Sequence, residues 1–516
     1  MTFYDLSNDD VLYNKHYNTH YNIKEETFIN DLNIYDVFQA INFCKTVIGK
    51  QYFYHTLCTP KLNEIDINEL ELKINYFDTN EGLKKLFDNA SHRIVDGNMS
   101  LLPGLIFGRP FLTPQYFKWV WLLLSIELVV GILSFFYLPI ILMLLPLLLV
   151  NTVIHFINKD RLFLFRRTYR PVSNLLEFAK EMKAGDNKRA FNNQSVDDAI
   201  KSLSPLKSKL ILLSMADCFT QNDLFIILFV LIELIKTVTL FEVLLTRSLM
   251  SSINDKKNEI RVLYEMAGKI DLVYSICVLR YKTQEWCHPE FINLEKSISL
   301  LNISHPLISK SVPNSIELTD KSAIIAGSNM SGKTTFLRTV GINNVLAQTI
   351  NTCFAREFKL PFLKTVTSLN SVDNILEGES FYFAEAKNLL QLLNADSKIN
   401  HLIIVDELFK GTNSIERTAI SKATLSYLNK YCGIVFTSTH DLELVKLLSD
   451  DFDSFHFKED FNNNEIIFDY KIKKGNLYVF NAIKTLAKMG FPELLIKEVE
   501  KAFVNLEKKH LKYDYN

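Results

Sequence analysis

The sequence predicts two architectures in one chain. An α/β domain with a doubly wound sheet occupies the C-terminal end. An all-α region precedes it and is interrupted by a hairpin of two helices of membrane-spanning length. Three observations predict this. Beyond about residue 300, short apolar runs (Ser322–Ala326, His401–Val405, Gly433–Phe436) alternate with helical stretches, as strand–helix–strand units do. Before that point, apolar residues recur at helical spacing instead. Between Trp119 and Asn158 there is no Lys or Arg, and Glu127 is the only acidic residue; that run is roughly twice the ~20 residues needed to cross a bilayer once.

At 516 residues the chain has room for about three domains. The formal net charge of −1 excludes a global basic field, so any reading as a nucleic-acid binder rests on local patches or on resemblance. Cys44, Cys58, Cys218, Cys277, Cys287, Cys353 and Cys432 are odd in number and form no CxxC, which fits reduced core thiols in a cytosolic setting. Cys287-His288 is an adjacent pair of metal-ligand types, but no second pair answers it, so an ordinary structural role is the better reading. Met1 to Asp31 is polar and acidic and does not read as a cleavable signal.

Taken in order, Phe28 to Lys50 is expected as one helix, with Ile34, Val37, Phe38, Ile41 and Val47 on one face and Gly49 as its stop. Cys58 to Pro60 breaks the pattern. Helices follow over Ile65–Phe77 and Gly82–Ala90, and Leu102–Pro114 reads as a Pro- and Gly-containing connector. The apolar hairpin is expected over about 119–137 and 140–157, turning near Phe135–Pro139, with Trp119, Trp121 and Tyr137 near the interfaces. Lys118 precedes it, and Lys159, Arg161, Arg166, Arg167 and Arg170 follow. This places both flanks in the cytoplasm; the alternative is a very hydrophobic buried hairpin. Arg161–Ser204 is charged and helical, with a polar loop near Gly185–Gln194. Leu224–Leu245 is apolar but contains Glu233, Lys236 and Glu242. Unpaired charges at mid-bilayer cost at least a few kcal/mol each, and although Glu233 and Lys236 can pair at i, i+3, a long packed helix is preferred here to a third span. Asn254–Tyr281 continues as helix, with Leu263, Met266, Ile270, Val273 and Ile276 as a core stripe.

The chemistry concentrates in the α/β domain. Gly327-Ser328-Asn329-Met330-Ser331-Gly332-Lys333-Thr334, followed by Thr335, has the spacing of a P-loop and the strand–loop–helix context that the motif requires. Its glycines let successive backbone N–H groups face phosphate oxygens, and the following helix adds its positive end. Lys333 is placed for the β- and γ-phosphates and Thr334 for Mg²⁺. His401-Leu-Ile-Ile-Val-Asp406-Glu407 reads as a Walker B strand, in which Asp406 holds Mg²⁺ through water and Glu407 orients or deprotonates the attacking water. An acidic pair can merely solvate a strand end, but its position about 70 residues after a P-loop favours the catalytic reading. The strand Gly433–Thr439 ends at His440, placed to sense the γ-phosphate. The expected cofactors are ATP and Mg²⁺, and the fold class is an α/β P-loop NTPase.

At this point the sequence resembles the MutS family of DNA mismatch repair ATPases, over about residues 300–510. The resemblance rests on His305-Pro306 with Val312-Pro313-Asn314, on the P-loop with Asn329-Met330, and on Ser371-Val-Asp373 with Gly378-Glu-Ser380 and Phe383-Ala-Glu385. It continues through Asp406-Glu407 with Gly411-Thr-Asn413, Ser438-Thr-His440 with Glu443-Leu444, and a tail over Tyr470–Gly475 and Ala482–Pro492. Upstream, Asp31-Leu32 through Gly49 and Leu57, and Glu265-Met-Ala267, resemble the two ends of the family's helical core more weakly. The resemblance implies an ABC-like ATPase domain over 301–516 with C-terminal dimerisation helices, a reduced helical core over 1–115, and a core and lever region over 159–300. The segment 116–158 is the interrupting hairpin.

The same resemblance implies a homodimer in which Ser380 contacts the γ-phosphate in trans while Asn413 bridges the two sites. Ser380 is also a natural N-cap for the helix that follows it. Three departures stand out. No mismatch-reading domain with a Phe-x-Glu wedge fits before residue 31. Ser331 stands where repair members favour glycine. The hairpin is foreign to soluble members and points to a divergent, membrane-associated branch. The functional expectation is a membrane-tethered, ATP-hydrolysing protein with its ATPase domain in the cytoplasm, binding mismatched or branched DNA. The alternative is an ATP-driven membrane switch or scaffold that does not bind DNA. A transporter ATPase is disfavoured by the tail, the Asn329-Met330 loop and the scarcity of spans.

Overall fold

The computed structural model describes residues 10–95, 97–110, 117–215, 226–294, 296–328, 331–369, 381–393, 399–409, 412–462, 465–475 and 491–502. The expectations at Asn329, Met330, Ser380, Gly411 and 476–490 lie outside the described residues. The helices, in chain order, are α1 (Leu12–Tyr21), α2 (Thr27–Asp31), α3 (Ile34–Ile41), α4 (Val47–Cys58), α5 (Glu64–Thr79), α6 (Glu81–Ser91), α7 (Leu102–Phe107), α8 (Phe117–Phe136), α9 (Leu144–Gly185), α10 (Gln194–Met215), α11 (Ile226–Thr239), α12 (Phe241–Asp255), α13 (Lys257–Lys282), α14 (Lys333–Ile350), α15 (Phe381–Leu393), α16 (Ser414–Tyr431) and α17 (Leu442–Leu447). The chain divides into two compact units. One is helical and comprises residues 1–25, 42–59 and 68–282; the other comprises 26–41, 60–67 and 283–516 and carries the strands.

In the helical unit, the helix expected over Phe28–Lys50 is split. α3 ends at Ile41 and α4 begins at Val47. The reason is local polar chemistry that competes with helical bonds. The Asn42 side chain accepts from Cys44 N (2.9 Å), and Thr46 caps α4 by accepting from Gly49 N (2.9 Å). Asp271 of α13 completes the junction. Its carboxylate accepts from Lys45 N (2.9 Å), Thr46 N (2.8 Å) and the Thr46 hydroxyl (2.6 Å). Gly49 therefore lies near the start of a helix and does not end one. A Cβ there would sit 2.0 Å from Asp271 Oδ2, so the glycine permits the close approach of α4 and α13.

The connector expected over Leu102–Pro114 contains α7, with Pro103 in its first turn, where a missing N–H costs nothing. The stretches Phe117–Phe136 and Leu138–Asn158 are each long and apolar enough to cross a membrane. α8 buries only Phe117 and Val120 at its start, leaving Trp119, Leu122, Leu128, Val129 and Ile132 exposed. After a 3-10 turn at Leu138–Met143, α9 runs on unbroken from the apolar stretch into the charged one, through Pro171 to Gly185. The apolar run Leu224–Leu245, expected as one helix, is broken at Leu240. That residue takes the left-handed conformation (φ 44°) and ends α11 before α12 begins.

In the second unit the strands are β1 (Pro289–Phe291), β2 (Ser297–Ile303), β3 (Asn314–Thr319), β4 (Ser322–Ala326), β5 (Glu357–Leu360), β6 (Lys364–Ser368), β7 (His401–Asp406), β8 (Gly433–Thr439), β9 (Phe452–Asn462) and β10 (Glu465–Lys474). Among the described residues they form a sheet of order β1-β5-β2-β3 and a larger one of order β10-β9-β4-β8-β7-β6. The larger sheet is parallel from β9 to β6, and β10 pairs antiparallel at its edge. β4 is buried at every position, as a strand covered on both faces must be. α14 is buried nearly all round, yet carries Asn343, Asn344 and Gln348. Their amides tie it to its neighbours: Asn343 donates to Ser304 O (3.2 Å), Asn344 to Leu363 O (2.9 Å) and Gln348 to Leu363 O (3.0 Å).

The segment 26–41 belongs to this unit. Asp31 accepts from Leu369 N (3.0 Å), Thr27 donates to Thr367 O (3.2 Å), and Glu26 pairs with Lys364 (2.9 Å). Leu32 packs where Gly341 leaves room; a Cβ there would lie 3.0 Å from its methyls.

Replacing Asp271 by Ala strands two backbone donors and a hydroxyl in a buried site. The expected loss is about 2–4 kcal/mol, since each orphaned buried donor costs on the order of 1–3. Urea unfolding followed by far-UV circular dichroism would measure it; a loss below about 1 kcal/mol would remove the junction role from Asp271.

Candidate active site

Five of the residues singled out in the sequence converge at the carboxyl ends of β4, β8 and β7. In open α/β sheets this is where ligands bind. β4 ends at Ala326, and the chain leaves the sheet through Gly327 (φ 151°) and Gly332 (φ 102°). Both take backbone conformations that side chains resist. At Gly327 a Cβ would also lie 2.8 Å from Ser331 Oγ and 3.3 Å from Phe457 O. Ser331 donates its hydroxyl to Ser328 O (2.8 Å), which tightens the loop. Gly332 stands at the N-cap of α14, so the first N–H groups of an 18-residue helix are directed at the loop, a ready anion site.

Lys333 is buried. Its Nζ donates to Gly327 O (2.7 Å) and Ser328 O (2.8 Å) and lies 3.9 Å from Glu407 Oε1. Thr334 donates to Asp406 Oδ2 (2.8 Å). The other carboxylate oxygen of Asp406 accepts from Ser438. Strand register accounts for this, because Asp406 stands directly opposite Ser438 and Ala326 opposite Thr439. Glu407 adopts the left-handed region (φ 49°), and its N–H donates to Ser438 O (3.2 Å). Strain of this kind persists only where surrounding structure enforces it, and it clusters at functional sites. His440, half exposed, brings Nδ1 within 3.2 Å of Glu407 Oε1.

Asn413 is the N-cap of α16 and accepts from Glu416 N (2.9 Å). Thr335 lines a cavity of about 280 Å³ beside the loop, together with Val312, Asn314, Gly332, Thr334 and Tyr470. Asn314 fixes one wall by donating to Tyr470 O (2.9 Å) and accepting from Ile472 N (2.8 Å). The contact of Ser438 with Asp406 was not legible from residue types. Neither was the position of Tyr470, which depends on pairing at the sheet edge, nor that of Arg417, which lines a small pocket with His440 and Asp441.

The donor set at Thr334 and Asp406 consists of hard oxygens, which suit Mg²⁺ rather than a soft metal. A buried lysine at the N-terminus of a helix suits a phosphate chain. A carboxylate at the end of the neighbouring strand, in contact with an imidazole, is an arrangement that can order a water molecule.

Comparison with known proteins agrees with this chemistry. Residues 323–507 match the family described as MutS domain V. The DNA mismatch repair protein MutS of Aquifex pyrophilus is 29% identical over 252 residues, covering 47% of this chain and 29% of that protein. The protein of that name from Leptospira interrogans is 29% identical over 255 residues (46% and 30%). That of Lactococcus lactis subsp. cremoris is 27% identical over 267 residues (49% and 31%). The chain thus spans less than a third of the length of these curated relatives.

His305 yields a pH prediction. Its Nδ1 accepts from Leu307 N (3.2 Å), and the His305 backbone N–H donates to Ser311 Oγ (3.0 Å). It thereby shapes the turn that leads into the cavity wall. Burial, reinforced by the Arg338 charge, pushes the imidazole down from 6.5 to about 4. The folded state therefore binds this proton less readily than the unfolded chain. The stabilisation is fully present above pH 6.5 and is lost as pH falls from there toward about 4. Thermal midpoints across that window should fall more steeply for the parent than for His305→Asn, whose amide oxygen keeps the acceptor without titrating. Equal slopes would contradict this.

Proposed function

We propose, for a chain that belongs to the MutS family through residues 323–507, that it is a membrane-tethered P-loop ATPase whose ATP turnover is coupled to mismatched or branched DNA. The observation that carries the catalytic part is the convergence of Lys333, Thr334, Asp406, Glu407 and His440 on adjacent strand ends. In this reading the N–H groups of the 327–334 loop and of the α14 N-terminus hold the phosphates, and Lys333 gives up its carbonyl contacts for the β- and γ-oxygens. Thr334 and Asp406 hold Mg²⁺, which when bound neutralises charge on the phosphate oxygens. Glu407 orients the attacking water, while His440, in contact with Glu407, reads out the γ-phosphate. The cavity beside Gly332 and Tyr470 is placed for the nucleoside. Ser380 of a second copy would close the other face of the site, with Asn413 near the junction, so the working form is a homodimer.

The DNA part rests on family membership and on relatives that are named DNA mismatch repair proteins. The tether rests on α8 and on the apolar stretch Leu138–Asn158, both of which leave many apolar side chains exposed, with cationic flanks that put the ATPase unit in the cytoplasm. The net charge of −1 favours a second reading, an ATP-driven membrane switch that does not bind DNA.

The test is ATP turnover by the full-length protein in nanodiscs, alone and with perfect, mismatched or four-way duplexes, at low and moderate salt. Lys333→Ala should reduce turnover to background. Glu407→Gln should keep nucleotide binding but slow hydrolysis on the order of a hundredfold or more, the range for losing a positioned general base. Stimulation by one DNA form that weakens with salt would support the coupling. Lys333-dependent turnover indifferent to every duplex would leave the membrane switch, and turnover unaffected by Lys333→Ala would sink the ATPase assignment.

A further inference from the structure

The break at Leu240 has a polar setting unlike that of a soluble helix end. α9 carries Asn151, His155 and Asn158 on one face at helical spacing, and all three are buried. The opposite face exposes Leu149, Val153 and Phe156. α11 has the same inverted arrangement. Lys236 is buried while Leu234 and Ile235 are 59% and 58% exposed. The inner faces meet through hydrogen bonds. His155 Nε2 lies 3.1 Å from Glu233 Oε2, and Lys236 donates to the other oxygen, Oε1, at 2.9 Å. Asn151 donates both to Glu127 Oε1 of α8 (2.6 Å) and to the Val238 carbonyl in the last turn of α11 (3.2 Å).

These contacts fix direction and depth. α8 has 20 residues, close to the ~30 Å of a bilayer core at ~1.5 Å per residue. Glu127 lies near its middle, so Asn151 and Val238 share that level. His155 and Glu233 lie about one helical turn nearer the start of α8. α11 therefore climbs from the base of the hairpin to its middle. After Leu240, α12 turns back, and Arg247 donates to the Phe117 carbonyl at the base (2.8 Å).

The turn leaves few bare polar groups. The Leu240 carbonyl accepts from Val243 N (3.0 Å) and Leu244 N (3.1 Å), Thr239 donates to Ile235 O (2.7 Å), and Asn151 meets Val238 O. Non-helical backbone at membrane depth is tolerated only when protein satisfies it in this way.

We propose that α11, Leu240 and α12 form a re-entrant helical hairpin that enters the bilayer to about half its depth beside α8 and α9. The Glu127–Asn151–Val238 and His155–Glu233–Lys236 bonds hold it there, and its outer face, Leu234, Ile235 and Phe241, meets lipid acyl chains. Glu233 and Lys236 enter as a pair, so neither charge is carried into the apolar phase alone. The assignment rests on the reading of 119–157 as a membrane hairpin.

The experiment is depth-dependent fluorescence quenching of the full-length chain in liposomes of phosphatidylcholine brominated at mid-chain, compared with aqueous iodide. Trp119, Trp121 and Trp286 are replaced by Phe, and one tryptophan is introduced as Val129→Trp, Leu234→Trp or Phe241→Trp. Each variant is first matched to its parent in helix content. Val129→Trp, on the middle of α8, reports the hairpin itself and should lose most of its emission to bromine. Phe241→Trp should also be quenched strongly by bromine and little by iodide. Leu234→Trp should be quenched by bromine less than Phe241→Trp, because it sits nearer the base. Bromine quenching of Val129→Trp together with iodide quenching of both other positions would overturn the re-entrant assignment and leave the hairpin standing. A reversed depth order would overturn it as well. Absence of bromine quenching at Val129→Trp would overturn the hairpin reading, and this inference with it.

Discussion

Both oxygens of the Asp406 carboxylate are committed, one to Thr334 at the first turn of α14 and the other to Ser438 on β8. Much of the site depends on that double attachment. β4 and β7 are not neighbours; β8 lies between them, so their ends stand roughly 9–10 Å apart at two strand spacings. The loop after β4 and the acidic pair after β7 can act on one ligand only if something bridges that distance. β8 supplies the bridge through register, because parallel pairing sets Ser438 opposite Asp406 and Thr439 opposite Ala326. The same strand sets Glu407, whose N–H is held by the Ser438 carbonyl while its side chain meets His440. A slip of one residue in β8 would turn Ser438 to the other face of the sheet and release Asp406, Glu407 and His440 together.

Support for this arrangement comes from outside the continuous C-terminal stretch. The segment 26–41 packs with the strand-bearing unit, where Asp31 caps the end of β6 through Leu369 N and Leu32 fills the space left by Gly341. Gly341 lies in α14, two turns after Lys333, so the helix that presents the lysine is backed by a piece of chain some 300 residues earlier. Asn343, Asn344 and Gln348 fix the same helix on another side. Buried amides of this kind define a position more sharply than apolar packing does, because each unmatched partner carries a cost.

The difference between what was legible in the sequence and what was not follows the range of the interactions. Gly327, Gly332, Lys333, Thr334, Asp406 and Glu407 stand at fixed spacing next to strand-like and helix-like runs, so local pattern was enough to place them on the right elements. The run 119–158, with no Lys or Arg and Glu127 as its single acidic residue, was equally plain. The split of 28–50 is only partly local: Asn42 and Thr46 stand in the sequence, but the junction they form is completed by Asp271, more than 200 residues away, and the same contact explains why Gly49 permits close packing instead of ending a helix. The break at Leu240 was missed because nothing about a leucine announces a left-handed conformation. It becomes intelligible only with Asn151 and Glu127 on neighbouring helices. Ser438 and Tyr470 owe their positions to register and sheet-edge pairing, which residue types do not encode.

α9 extends these local arguments over a longer distance. Its 42 residues make one helix about 63 Å long at the standard rise. The first half carries the apolar face and the Asn151–His155 stripe; the second carries Leu175, Phe178, Ala179 and Met182 into the core of the helical unit. A helix cannot shorten without breaking its own hydrogen bonds, so a change of tilt at the apolar end must reach that core or be absorbed between the two. Pro171 is the proline inside α9, well beyond its first turn, and lacks a backbone donor; a proline within a helix is where bending meets least resistance. Pro171 lies between the apolar half and the core contacts at Leu175 and Phe178. Bending there would decouple the apolar half from the core, whereas a rigid passage through it would transmit tilt into the residues packed against α6 and α13.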